Sequence, residues 1–175
     1  QSRRENLNPE AFRDAQSIRL STKVEGNFKD YKWSATPYFR KSKMNFLQHY
    51  LPGQPQESNG QYSNGIQTNL IVDRENMDIA LGIDLERAKM YVAEVQENIL
   101  GIVNNVRFQG KHYDFEVDSN QYVLYANLNQ KIQPDTALDV GVRLEKLDYD
   151  YSNKMISGTT RDDGSACNST DGSCR

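Results

Sequence analysis

Side chains able to do chemistry are few in this chain, and they are scattered. The histidines are His49 and His112, and the cysteines are Cys167 and Cys174. His112 stands two positions before Asp114, but two alternate residues without a third ligand do not make a metal site, so structural hydrogen bonding is the favoured reading. Asp162, Asp163 and Asp171 lie near Gly164 and Gly172 without the spacing of a defined calcium loop, and they read as a solvated acidic loop. Cys167 and Cys174 sit in a tail rich in Gly, Ser and Asp. A zinc site there lacks two ligands, whereas a bridge across so short a polar loop is geometrically easy, so a disulfide is favoured and with it an oxidising compartment. There is no Gly-rich phosphate loop and no nucleophile with its base, so neither an enzyme nor a bound cofactor is expected. One constellation stands out: Phe46, His49 and Tyr50 share a polar stretch. Such rings either pack the loop against its neighbours, the favoured reading, or offer a contact surface to a ligand. These three are the candidate binding residues.

The elements that position them follow from composition and period. The 175 residues are 37% hydrophobic and 26% charged, with 21 basic against 24 acidic side chains and a net charge of -3. No basic block is present to neutralise phosphates, so nucleic-acid binding is not expected. The longest stretch free of Asp, Glu, Lys and Arg, Ser58 to Val72, is rich in Asn, Gln and Ser and shorter than the roughly 18 apolar residues of a spanning helix. Mean hydropathy is low, at -0.81.

Alternation dominates instead. Ile18, Leu20, Thr22 and Val24 interleave with Arg19, Ser21, Lys23 and Glu25. The same period of two recurs at Tyr31–Arg40, Ile66–Asp73, Ile79–Glu86, Gln121–Leu128 and Leu138–Glu145, which predicts six strands with one oily face each. Turns are expected at Gly26–Asp30, Arg74–Asn76 and Gln133–Thr136. The gaps between strands alternate between short and long, the long ones running from Ser42 to Asn64, from Arg87 to Asn120 and from Tyr151 onward. Compact soluble domains rarely carry several such loops, whereas outer-membrane barrels combine short periplasmic turns with long extracellular loops. Aromatic residues at or near the ends of the apolar rows, among them Tyr31, Trp33, Phe39 and Tyr122, suit a bilayer interface. The expected fold is therefore all-β: an antiparallel up-and-down transmembrane β-barrel. Six strands, or three hairpins, are too few to close it, since such barrels begin at about eight. About 29 residues per strand, 175 over six, favours a large barrel.

Several stretches resemble the TonB-dependent receptors of Gram-negative outer membranes. Asn8–Asp14 with Ser17–Ser21 is similar to a middle barrel strand of one branch of that family, and Thr36–Arg40 with Met44–Pro55 and Glu57–Gly60 to its strand and extracellular loop. His112–Phe115 with Val117 and Asp118 resembles a return strand, and Gly141–Glu145 with Tyr149–Tyr151 a strand ending before a large loop. Asp162–Gly164 followed by Cys167 and Cys174 looks like that branch's disulfide-bearing loop. The resemblance spans nearly all of residues 1–175 but concerns the barrel domain alone; the plug domain, the TonB-contacting box and the terminal strands have no counterpart here. It implies outer-membrane localisation and TonB-energised uptake of a scarce nutrient, above all a ferric siderophore or similar metal chelate. The implied partners are outer-membrane lipid, the plug of the same parent chain, and TonB. The alternative from the same period-two pattern is a soluble all-β binding module, with the oily faces stacked against each other.

Overall fold

The computed structural model describes residues 9–47, 54–98, 109–157, 160–161 and 164–166. The strands are Arg13–Ser21 (β1), Val24–Phe28 (β2), Tyr31–Leu47 (β3), Gln56–Arg74 (β4), Met77–Gln96 (β5), Gly110–Gln133 (β6) and Thr136–Asn153 (β7), followed by a small hairpin of Ile156–Ser157 (β8) and Thr160–Arg161 (β9). Neighbours in sequence are neighbours in space, in the order β1-β3-β4-β5-β6-β7 with β2 also on β3, and every pairing is antiparallel. No helix occurs among the described residues.

β1 and β2 are one strand in a single register, since Ser21 faces Tyr38 and Val24 faces Ala35. The interruption falls opposite Pro37. Thr22 N–H donates to the Pro37 carbonyl at 3.2 Å, but proline has no N–H with which to return the bond. The seven segments are thus six hairpin-linked strands, as the alternation predicts. The tight turns are Lys29–Asp30, Glu75–Asn76 and Pro134–Asp135. They lie at one end of the sheet, where Arg74 reaches Asp30 at 2.6 Å and Lys32 reaches Asp73 at 3.0 Å.

The register lines the apolar residues into rows on one face. Tyr31, Val72, Ile79, Leu128 and Val140 form one cross-strand row, and Trp33, Leu70, Leu81, Ala126 and Val142 the next. These rows stay uncovered: Leu124 is 53% exposed, Val142 58% and Leu144 64%, and the only buried hydrophobic residues among those described are Phe46 and Val123. No second layer lies over the oily face among the described residues, so no stacked interior of the kind a soluble sandwich has forms among them. The band covers nine residues on β3 (Tyr31–Phe39) and β5 (Met77–Leu85) and seven on β4 (Ile66–Val72), β6 (Tyr122–Leu128) and β7 (Leu138–Leu144), reaching at its widest the 9–11 a membrane strand needs. At about 3.4 Å per residue and a tilt of 35–45° it stands roughly 17–25 Å high. Its upper edge also drifts, from Ile18 on β1, which faces Lys41, to Leu144 on β7, which lies level with Ala35. That stagger is the signature of strands tilted in a barrel wall.

The strands are longer than their alternation suggests. β6 has 24 residues and β5 has 20, so the long loops expected at 42–64 and 87–120 are mostly β-ladder that runs on past the apolar band. Only 48–55 and 97–109 separate those strands.

Glycines let aromatic rings lie across the sheet. On the inward face Tyr125 on β6 passes over Gly82 on β5 and donates to the Thr68 carbonyl on β4 at 2.8 Å. Tyr38 on β3 passes over Gly65 on β4 to reach Glu86 on β5 at 2.5 Å. A methyl at Gly82 collides with the Tyr125 ring, and one at Gly65 meets the Tyr38 hydroxyl at 2.5 Å. Gly82→Ala should therefore displace the ring and cost about 1–3 kcal/mol in denaturant unfolding. Gly141→Ala, whose methyl meets nothing closer than 3.4 Å, should cost nothing measurable.

Candidate functional site

Inward-facing side chains of β1 and β3 to β6 converge at the end of the sheet away from the tight turns. Phe46, near the end of β3, is 8% exposed, and the Arg13 guanidinium stands over its ring at 5.2 Å. The sequence places Phe46 in a loop; the structure places it on a strand, held between Arg13 on β1 and Glu57 on β4 in one row. His49 and Tyr50 fall outside the described residues, as do Cys167 and Cys174.

Glu57 continues that row to Glu94 on β5, so two carboxylates face each other across adjacent strands. Like charges directly opposite repel, and Glu94 is almost fully buried. A bulge supplies the donors. Glu94 faces Tyr113 while Val95 faces Lys111, which leaves His112 as an extra residue in β6. Two consecutive side chains are thereby aimed at one residue of the partner strand. His112 Nδ1–H donates to Glu94 Oε1 at 2.6 Å. The Tyr113 hydroxyl lies 2.8 Å from Glu57 Oε2 and 3.0 Å from Glu94 Oε2; with one proton it serves one carboxylate at a time. Asn59 Nδ2 donates to Glu57 Oε1 at 2.7 Å. Burial, and then the two carboxylates it serves, push the Tyr113 phenol far above its ordinary range. Beside this cluster Gln96, also buried, accepts from the Gln54 backbone N–H at 3.0 Å.

The bulge also decides the fate of His112 and Asp114. They do not form a pair: His112 turns to Glu94, while Asp114 takes Lys111 at 3.1 Å. No group of three or more His, Cys, Asp or Glu able to hold a metal occurs among the described residues. Residue type alone does not mark Glu57, Glu94 and Tyr113, because neither their facing register nor the bulge carries a motif. The one available signal was the two-residue spacing of Glu57 and Asn59 on a strand, which puts both on one face.

Nearer the sheet's middle, the inward face carries a second network. Arg40 donates to both Glu86 carboxylate oxygens at 2.6 and 2.7 Å and to Ser63 Oγ at 3.1 Å. Tyr38 completes it, and its ring lies 4.9 Å below the Arg40 guanidinium. Among the described residues the inward face is thus polar and internally bonded, with donors, carboxylates and rings able to contact a polar partner.

No family model matches the sequence, and no curated protein matches it. Among solved structures, the chain is similar to the crystal structure of the siderophore receptor PiuA from Acinetobacter baumannii, with a TM-score of 0.59 at 11% identity. The match covers 85% of this chain and 28% of that one, so the chain spans under a third of the receptor's length. At that identity the likeness is one of fold: an all-β antiparallel sheet similar to part of a receptor barrel.

Tyr113→Phe removes the hydroxyl between two facing carboxylates and should cost about 1–3 kcal/mol of stability. Equilibrium unfolding in detergent measures it, with a smaller loss expected for Tyr125→Phe, which frees only one carbonyl.

Proposed function

We propose that this chain is part of the wall of an outer-membrane receptor barrel that imports a scarce nutrient in a TonB-energised cycle, a ferric siderophore or similar iron chelate being the substrate class. The observation that carries the reading is the exposed apolar band, seven to nine residues high on β3 to β7, with polar, hydrogen-bonded side chains on the opposite face. Hydrocarbon is the solvent that such a face suits, and a water-filled, plugged lumen is what the other face suits. The short turns then lie on the periplasmic side and the extended ladder rises above the outer leaflet. Similarity in fold to a siderophore receptor supports the substrate class.

In this reading the inward face, with its Arg40–Glu86 and Lys32–Asp73 pairs, meets the parent chain's plug. Phe46, steadied by Arg13 at the upper rim, belongs with His49 and Tyr50 to a ligand-contacting surface, and Cys167 and Cys174 bridge an external loop.

The full receptor carrying this chain tests the assignment. Leu81→Arg on the apolar face should destabilise the bilayer-inserted barrel by about 2–4 kcal/mol, while Asn127→Arg on the inward face should cost under about 1 kcal/mol. Equal costs at the two sites contradict the reading. Growth on a ferric siderophore as sole iron source, abolished when the receptor is deleted, tests the substrate.

A further inference from the structure

Above the apolar band, the outward face of β3 to β5 turns cationic. Past the row that contains Ile66, Leu85 and Tyr122, the next row places Arg87 beside Asn64 and Asn120, and the rows beyond place Lys41 level with Lys89, then Lys43. Lys89 is occupied by Glu116 at 2.8 Å and Asp118 at 3.9 Å. Lys41, Lys43 and Arg87 are exposed and make no ion pair among the described residues. Their strands, β3 and β5, flank β4 and so stand about 10 Å apart, a gap that two long cationic side chains can close around one anion.

A groove of about 360 Å³ lies at this boundary. Ile66, Leu85 and Tyr122 line its membrane side and Asn64, Arg87 and Asn120 its water side. Its floor is the backbone of Gly65, Glu86 and Gln121, with the side chains of Glu86 and Gln121 turned to the other face. The groove is thus half apolar and half polar, with a cation at the junction and two more just above. A free anion gains nothing from the apolar half, and a neutral lipid gains nothing from the cations. The acidic side chains Glu116 and Asp118 on β6, with Asp148 and Asp150 on β7, repel an anion from that side and confine it to β3–β5.

We propose that this surface binds a phosphorylated membrane amphiphile. Its phosphate is held among Arg87, Lys41 and Lys43, its polar linkage reaches Asn64 and Asn120, and the root of its acyl chain lies against Ile66, Leu85 and Tyr122. The inference rests on the membrane-spanning reading and adds a lipid site outside the transport path.

The test uses the full receptor in a neutral detergent, with bound lipid counted by native mass spectrometry and three probes: dioleoyl phosphatidic acid, dioleoyl phosphatidylcholine and inorganic phosphate. Phosphatidic acid should bind, and the K41Q/K43Q/R87Q variant should bind it on the order of 100-fold more weakly, while Arg143→Gln on the inward face leaves binding unchanged. Should the triple variant fold poorly, Lys41→Gln and Arg87→Gln singly should each weaken binding roughly 5-fold. Binding within twofold of wild type in these variants overturns the proposal, as does equal affinity for phosphatidylcholine, or displacement of the lipid by an equal concentration of inorganic phosphate. Vesicle insertion of the wild-type receptor separates the two readings: failure to insert removes both, whereas insertion with unchanged affinity in the variants removes only this one.

Discussion

Everything in this molecule depends on the lateral hydrogen-bond ladder. A strand whose outward face is Ile, Leu, Val and Trp can enter hydrocarbon only if each backbone N–H and C=O within the band is already bonded to a neighbouring strand, because no water is there to take its place. The register provides this without interruption from β5 to β7 through the band. Two local exceptions are instructive. At Thr68 the backbone pairing lapses, and side chains replace it: the Thr68 hydroxyl bonds both N and O of Ile83, and Tyr125 reaches across Gly82 to the Thr68 carbonyl. At Pro37 one bond is lost outright, and the loss faces the edge strand β1–β2.

The same ladder sets a condition on this sheet in the membrane-spanning reading. Among the described residues β7 and the β1–β2 strand each have one unpaired side, and β7 is exposed along nearly its whole length. Open edges cannot stand in lipid, so further strands must continue the ladder on both sides for the band to be immersed. A barrel several times the size of this sheet meets that requirement, in keeping with the small share of the solved receptor that the chain covers.

The apolar band was legible in the sequence because, in the proposed reading, a bilayer forces it to be. At Leu81, Gly82, Ile83, Asp84 and Leu85 one side must be oily and the other need not be, so period two survives. Beyond Glu86 the outward face no longer has to be oily, and Arg87 to Gln96 alternate only loosely, yet the ladder with β6 runs on to Gln96. Hydrogen bonding between strands does not require an apolar face, which is why strands there look like loops. The candidate site was illegible for a related reason. Glu57 and Glu94 lie far apart in the chain, and only the register makes them face each other; only the bulge at His112 turns two consecutive side chains toward Glu94. Phe46 could be picked out as an aromatic needing a reason, but its covering by Arg13 comes from the pairing of β1 with β3.

A scan of nitroxide labels along β5, from Met77 to Gln96 in the bilayer-reconstituted receptor with its cysteines replaced by serine, addresses the central claim most directly. Accessibility to oxygen dissolved in lipid should peak at every second position from Met77 to Leu85 and vanish from Arg87 onward, where a water-soluble nickel chelate should reach the outward positions instead. Low oxygen accessibility at Leu81, Ile83 and Leu85, with no alternation along the strand, would show those side chains packed against protein and contradict the account.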